Sequence, residues 1–447
     1  MMAREYKDSG IEWIGKIPES WDVKRLKNLC TSDASLIADG DWIESPDISD
    51  EGIRYYTTGN IGDGIFKRQG NGFITESTFQ TLNCTPVYPG DLVFSRLNSP
   101  IGRACIIPDD YPICVVAVDN VIVRPDSKYD KRYIMYISMC PGYQETNMLI
   151  ARGATMQRMS RTQLQNVDMP IPPLPEQQRI ADYLDKKCGE IDELIALQEQ
   201  MIAQLTDYKQ SVITEAVTKG LNPDAELVPS GIDWIKDVPK GWKIVPFKEV
   251  FKTGKGLSFT KADLVNEGFP VISYGQVHSK NNKGTQIDNE LIRFIPNEIV
   301  VGGNSSRVHV GDFIFADTSE DLDGCGNCVY VDKECGLYAG YHSVVAFSKR
   351  KESNKYLAYL FLTNCWRSQI RCRVSGIKVF SISQSIIKQT TLLIPSIEEQ
   401  QAIATYLDTM CSEIDSLVAL KQQKIETLKD YKKSVIYECV TGKTDIV

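Results

Sequence analysis

The sequence predicts an α+β protein built as a tandem duplication, each copy a β-rich mixed domain followed by one long helix. The two helices are expected to form an antiparallel coiled coil with pseudo-twofold symmetry. Three observations predict this. The stretch PLPEQQRIADYL at 173–184 returns as SIEEQQAIATYL at 396–407, and farther along DYKQSVITEAVT returns as DYKKSVIYECVT. Upstream, SGIEWIGKIPESWDVKRLK at 9–27 returns as SGIDWIKDVPKGWKIVPFK at 230–248. Between these anchors GDLVFS at 90–95 returns as GDFIFA at 311–316, so one offset of 221 to 223 residues runs through the chain and marks a repeat of domain size.

The first domain is placed at 1–172. Its signals are strands and turns: VYPGDLVFSRLN sets a Pro-Gly-Asp turn before an apolar run, and RYYTTGNIGDGIF passes from an apolar stretch into Gly and polar residues, as a strand entering an exposed loop would. The central helix is placed at 173–222. Pro172, Pro173 and Pro175 stop the preceding strand and permit a helix start, while Gly220 and Pro223 end it. Leu184, Ile191, Leu205 and Val212 fall on one seven-residue register, interrupted by Gln198, with Leu194, Met201 and Tyr208 on the alternating one. About 42 residues at roughly 1.5 Å rise would span about 60 Å. A helix of that length needs a packing partner, and its second copy is the natural one. The second domain, 223–395, repeats the strand pattern in VISYGQVHSKNNKG and VHVGDFIFADTS, and the C-terminal helix is placed at 396–447. An antiparallel helix pair returns the chain to the first domain, although connection lengths also permit a parallel one.

Composition bounds the function. With 42% hydrophobic and 24% charged residues the 447-residue chain is ordinary globular material for two or three domains. The sequence has no apolar run of membrane-spanning length and no leader-like start, so it is expected in the cytoplasm, with its 13 cysteines as reduced thiols. A net charge of −8 argues against a nucleic-acid partner until it is divided. Residues 176–220 carry 9 acidic and 5 basic side chains and 398–447 carry 9 and 6, which leaves the rest nearly neutral.

No catalytic constellation stands out. Gly59, Gly62 and Gly64 lie in TTGNIGDG, yet no βαβ pattern follows and no phosphate-binding GxxxxGK[ST] loop exists. Neither Asp-Pro-Pro-Tyr nor Asn-Pro-Pro-Tyr occurs, which removes the motif with which amino-methyltransferases hold a flipped base. A formal nuclease match from Pro108-Asp109 to Asp126-Ser127-Lys128 reads better as two charged turns. Cys325, Cys328, Cys335 and His342 have the residue types of a zinc set, but Cys328 aligns with Cys105, where the first ligand has no counterpart.

Two variable domains, each closed by a Glu-Gln-Gln helix entrance and an Asp-Tyr-Lys-x-Ser-Val-Ile helix exit, and each begun by a segment carrying Trp13 or Trp234, resemble the specificity subunit of a type I restriction and modification system. The resemblance covers essentially the whole chain. It implies a non-catalytic reader of double-stranded DNA in which each target recognition domain binds one half of a bipartite asymmetric sequence and the helix pair fixes the spacer. It also implies two methyltransferase subunits carrying S-adenosylmethionine and, through them, restriction motor subunits using ATP and Mg. DNA contacts are expected from Asn60, Arg96, Asn98, Arg103, Arg158 and Arg161 in the first domain and from Lys255, Gln276, His278, Arg307 and Lys378 in the second, because Arg and Asn make bidentate contacts to base edges and cations hold phosphates. Arg96 has Asp317 as its counterpart, so equivalent positions are not expected to play equivalent roles. On the helices, Gln177, Tyr183, Tyr208, Gln400, Tyr406 and Tyr431 are expected to contact the other subunits. Two rival readings remain, an assembly scaffold that binds no DNA and a single-chain methyltransferase or nuclease, the latter weakened by its missing motifs.

Overall fold

The structure, a computed structural model, describes residues 4–153, 156–301, 304–350 and 354–446. Contacts divide the chain into two units, Met1–Glu199 with Gln422–Val447, and Gln200–Lys421. Each unit therefore takes one β-rich domain, the first half of the helix that follows it, and the second half of the other helix.

In the first unit one antiparallel sheet has the order Leu36–Asp39, Asn120–Arg124, Leu92–Ser95, Ala104–Ile106. The predicted Gly-Asp turn starts its third strand, and Leu92, Val93, Phe94, Val121, Ile122 and Val123 are buried without alternation. Both faces are covered, which is why these strands read as continuous apolar runs. A second sheet sets Cys114–Val116 parallel to Ile53–Tyr56, with Phe73–Ile74 and Ile48–Ser49 beyond. The second unit repeats the larger sheet as Phe251–Lys255, Ser343–Ser348, Phe313–Ala316, Cys328–Tyr330, and its smaller sheet sets Tyr338–Ala339 parallel to Phe269–Ile272.

The central helix runs Leu174–Lys219 and the C-terminal helix Ile397–Val440. Pro175 sits in the first turn, where its missing N–H has no intrahelical acceptor to lose. Within the first unit Leu184 and Cys188 share a core with Val435, Ile436, Cys439 and Val440, and Asp192 pairs with Lys432 at 2.7 Å. Within the second, Ile213, Ala216 and Val217 share a core with Ile403, Leu407 and Cys411, and Lys209 pairs with Asp415 at 2.6 Å. Advancing along one helix retreats along the other, so both pairings are antiparallel, and the two ion pairs are one interaction written twice by the 223-residue offset.

One half of the expected seam is corrected. Leu184, Ile191, Gln198 and Leu205 do point inward, but the second inward row is Cys188, Ile195, Ile202 and Lys209, spaced four then three from the first. Leu194, Met201 and Tyr208 lie outside it, 44%, 36% and 53% exposed. Apolar character on both rows hid the choice, because Leu194 and Ile195 are equally good candidates by hydrophobicity.

Each helix entrance is locked by the first Gln of its Glu-Gln-Gln run. Gln177 is 1% exposed, accepts from the Asp130 backbone N–H at 2.9 Å and donates to the Pro172 carbonyl at 2.8 Å, and Gln400 donates to the Pro395 carbonyl at 2.9 Å. Both are expected from the sequence to contact other subunits; both are instead buried, with Gln177 bonded through its amide oxygen and nitrogen and Gln400 through its nitrogen. Gln177→Ala should therefore cost the first unit about 2–3 kcal/mol by orphaning a buried donor and acceptor, read as a lower urea midpoint with an unchanged slope. A midpoint equal to that of the parent chain would refute the locking role.

Candidate nucleic-acid interface

In the first unit three strands of the larger sheet finish at one edge, with Asp39 opposite Val121 and Asn120 opposite Ser95. Interior positions of these strands are apolar, so the first polar side chains appear where the strands run out. There the Arg96 N–H donates to the Asp119 carbonyl at 2.9 Å, and the Met159 N–H donates to the Arg96 carbonyl at 3.0 Å. The second bond draws in the segment at Arg158, which is itself bridged to Arg152. Five charged residues result: Arg96 lies 3.1 Å from Asp39, Arg161 3.3 Å from Asp39, and Arg158 2.7 Å from Asp119.

The six residues expected to touch DNA in this unit separate into two groups. Asn60 is buried: its carbonyl oxygen accepts from the Thr57 N–H at 2.8 Å and its amide donates to the carbonyls of Lys67 and Gln69, both at 2.9 Å. Arg103 is buried too and donates to the carbonyls of Thr58, Ile61, Leu97, Asn98 and Pro100. Arg96 is buried, donating to the carbonyls of Met159 and Val118, and desolvation pulls its guanidinium below the usual range. These three hold loops together from inside. By contrast Asn98 is exposed in a left-handed turn at φ +61°, and the Arg158 and Arg161 side chains are 47% and 45% exposed. Those three are available to a ligand.

The second unit builds the same edge. Lys255 stands opposite Val344 and Ala316 opposite Ser343, after which the Asp317 N–H donates to the His342 carbonyl at 3.1 Å and the Ile382 N–H to the Asp317 carbonyl at 2.7 Å. The Ser375–Ser381 bridge corresponds to the Arg152–Arg158 one, and the hairpin it closes carries exposed Lys378 beside Ile377, which is 99% exposed. Lys255 and Arg307 are exposed, the latter 3.9 Å from Glu334. Gln276 and His278 are half-buried and already engaged. Gln276 caps its own turn by accepting from the Ser273 N–H, while His278 Nε2 meets the Thr318 carbonyl at 2.8 Å and Nδ1 lies 3.2 Å from the Asn327 amide. Two clefts of about 790 and 760 Å³ share Thr318 and His342; Tyr274 and His278 border the first, Lys255 and Tyr341 the second.

Sequence reasoning missed Asp39, Asp119, Tyr274 and Tyr341, and set His342 among zinc ligands. The available signal was position, since Asp119 and His342 both sit one residue before a strand that the repeat aligns. His342 pairs with Asp317 at 3.3 Å, whereas Cys328 is fully buried with its thiol pushed up to about 12 by desolvation. Among the described residues no three His, Cys, Asp or Glu side chains converge as a metal set. Asp126, from the nuclease-like match, accepts from the backbone and hydroxyls of Thr31 and Ser32, which hold its carboxyl well below the usual range.

Two residues beyond Asp39, Asp41 is pushed up to about 6 by burial, offset only in part by the Thr85 N–H donating to it at 3.0 Å. Its folded value lies above its unfolded value near 3.9, so folding takes up a proton between them. The stability it contributes is full below about pH 4 and lost as pH rises through 6. Asp41→Asn should thus raise the unfolding midpoint of the first unit at pH 7 and leave it unchanged near pH 4. A gain that persisted at pH 4 would rule out a titration origin.

On the helices Tyr183, Tyr208, Tyr406 and Tyr431 are exposed, as are Leu194, Leu197, Leu417 and Leu420. Each first-helix member has its second-helix counterpart 223 residues on. No helix among the described residues is long and apolar enough to cross a membrane.

Comparison with known proteins agrees with this duplicated architecture. The family model of the type I restriction modification DNA specificity domain matches residues 18–207 and again 239–429. A putative type I restriction enzyme MjaX specificity subunit from Methanocaldococcus jannaschii is 23% identical over 96% of this chain and 95% of its own length. The EcoKI specificity subunit of Escherichia coli strain K12 is 21% identical over 96% and 90%. Among solved structures, a chain from work on complex assembly and conformational transition of the type I R-M system superposes with a TM-score of 0.71 at 15% identity, covering 96% of this chain and 99% of that one. The HsdS subunit from Thermoanaerobacter tengcongensis gives 0.50 at 15% identity, covering 96% and 98%. The two matched ranges together take in both recognition domains and most of both helices, and the chain belongs to the type I restriction–modification DNA specificity family.

Proposed function

We propose that each unit reads one half of a bipartite, asymmetric double-stranded DNA target, and that the chain directs two methyltransferase subunits and restriction motor subunits to it while doing no chemistry of its own. One observation carries this reading: the same strand edge and the same bridge beside it occur in both units, yet the side chains placed there differ. A shared scaffold with different tips is what two half-site specificities require. Exposed Arg158, Arg161 and Asn98 in one unit and Lys255, Arg307 and Lys378 in the other offer phosphate and base-edge partners. The repeated exposed Tyr and Leu positions on the helices supply apolar anchors for protein partners, and a repeated surface can take two copies of one subunit. S-adenosylmethionine, ATP and Mg would belong to those partners.

The test is single-molecule sequencing of methylated adenines in a methylation-free host that expresses this chain with its neighbouring methyltransferase subunit, compared with the methyltransferase alone. A bipartite motif that needs this chain is the expected result. Absence of any motif, with both proteins soluble and associated, would reject the DNA-reading role and leave the assembly scaffold.

A further inference from the structure

Strand register assigns each residue at the edge of the first unit a counterpart in the second, and the signs reverse. Asp39, opposite Val121, corresponds to Lys255, opposite Val344. Arg96 and Asp119, joined by a backbone bond just past the paired Ser95 and Asn120, correspond to Asp317 and His342, joined by the same bond just past Ala316 and Ser343. At two of these positions the charge reverses, and at the third a carboxylate is replaced by an imidazole. The sign changes while the backbone hydrogen bonds stay, so scaffold stability does not require either arrangement.

The exposed chemistry differs accordingly. In the first unit the outermost groups are guanidinium donors, Arg158 and Arg161, each steadied by one carboxylate, Asp119 or Asp39, that leaves other N–H groups of its fork unused. Their repeat counterparts are Ser381 and Gln384, which carry no charge. The second unit instead presents the Asp317 carboxylate, whose side chain is 34% exposed, beside the 60% exposed ring of His342. Asp317 Oδ1 is buried and faces His342 Nδ1 at 3.3 Å without forming a hydrogen bond, so the side chain's exposure comes from its other atoms. His342 sits at φ +53°, a left-handed backbone that His, like Asn and Asp, adopts more readily than other side chains, with the Tyr274 and Tyr341 rings 5.5 and 6.0 Å from its own. An acid facing DNA is repelled by phosphate, and its productive use is to accept from a base amino group.

Resting on the DNA-reading function above, we propose that this strand edge is a specificity-determining position in both domains and that its charge reversal makes the two half-sites chemically opposite there. Arg158 and Arg161 read the acceptor edge of a guanine, and Asp317, positioned by His342, reads an amino group, cytosine N4 or adenine N6.

Methylated-adenine sequencing of the co-expressed complex tests it, comparing the parent chain with Arg158→Gln, Arg161→Gln and Asp317→Asn. Arg158→Gln or Arg161→Gln should relax a guanine position in one half-site, and Asp317→Asn a single position in the other, each by about ten- to hundredfold in preference. Whether C or A is lost at the Asp317 position tells the two amino groups apart. Should Asp317→Asn fail to fold, His342→Asn is read in the same way, since Asn accepts the left-handed backbone most readily. An unchanged motif in all folded variants, or a uniform loss at every position, overturns the proposal. Failure of the parent chain to give any motif instead overturns the DNA-reading function on which it rests.

Discussion

Arg103→Ala is expected to destabilise the first unit by about 3–5 kcal/mol, more than any surface substitution in this chain. The guanidinium reaches five carbonyl oxygens, those of Thr58, Ile61, Leu97, Asn98 and Pro100, at 2.6 to 3.1 Å, so one buried side chain stitches two loops that have no direct ladder between them. Truncation orphans several carbonyls at once. Lysine should rescue only part of the loss, because an ammonium has three donors on a point charge and cannot span a fork of five acceptors. Arg161→Ala is the control: exposed and paired with Asp39 alone, it should change stability by less than about 0.5 kcal/mol. Hydrogen exchange followed by mass spectrometry would show faster exchange at 54–61 and 92–106 in Arg103→Ala and native protection in Arg161→Ala. Equal protection in both would mean that the carbonyl cage contributes little.

This contrast also shows what the sequence could and could not disclose. Asn60, Arg96 and Arg103 looked like DNA contacts because they stand at strand ends and carry the right donors, but a donor folded back onto carbonyls and a donor held toward solvent have the same sequence signature. Only the burial of the neighbouring loop separates them. Gln177 and Gln400 misled for the same reason, since a repeated polar residue at a helix entrance suits a docking face and a capping lock equally well. The repeat, the two long helices and the strands after the Gly-Asp turns were legible because each rests on periodicity or duplication, which survive without side-chain geometry.

The Gly-Asp turn shows how far duplication can be trusted. Asp91 and Asp312 each accept the backbone N–H three residues earlier, from Tyr88 at 2.9 Å and His309 at 2.8 Å. The turn is thus identical in both units. Beyond it the copies part: Arg124 pairs with Asp91 at 2.7 Å, and the corresponding position in the second unit is Phe347, leaving burial to push the Asp312 carboxyl up. At this turn the backbone role carries over between copies while the side-chain partner does not, in contrast to the helix ion pairs, which repeat. The edge positions proposed to read bases follow the same pattern: the Arg96–Asp317 reversal was legible in the aligned Gly-Asp segments, whereas the match of Asp39 with Lys255 needed strand register.

Trp366→Ala should cost the second unit about 3–5 kcal/mol and silence one half of the target while sparing the fold of the first unit. Trp366 is fully buried, its ring 4.3 Å from Phe361 and 6.1 Å from Phe315, in the core that also holds Phe313 and Phe315 of the strand Phe313–Ala316. The helix it anchors, Asn364–Arg371, is tied to the last strand through Gln369, which accepts from the Thr391 N–H at 2.8 Å and donates to the Thr391 carbonyl at 3.1 Å. A cavity at Trp366 would therefore loosen both the helix and the strand that closes the domain. Its indole N–H has no partner, so Trp366→Phe gives up no hydrogen bond and should cost only about 1 kcal/mol. Hydrogen exchange should rise at 313–316, 355–371 and 391–394 in the alanine variant and stay low at 92–95 and 120–124, whose side chains pack in separate cores. If exchange rose equally in both sets, the units would be one cooperative body, and a single recognition domain could not be weakened without losing its twin.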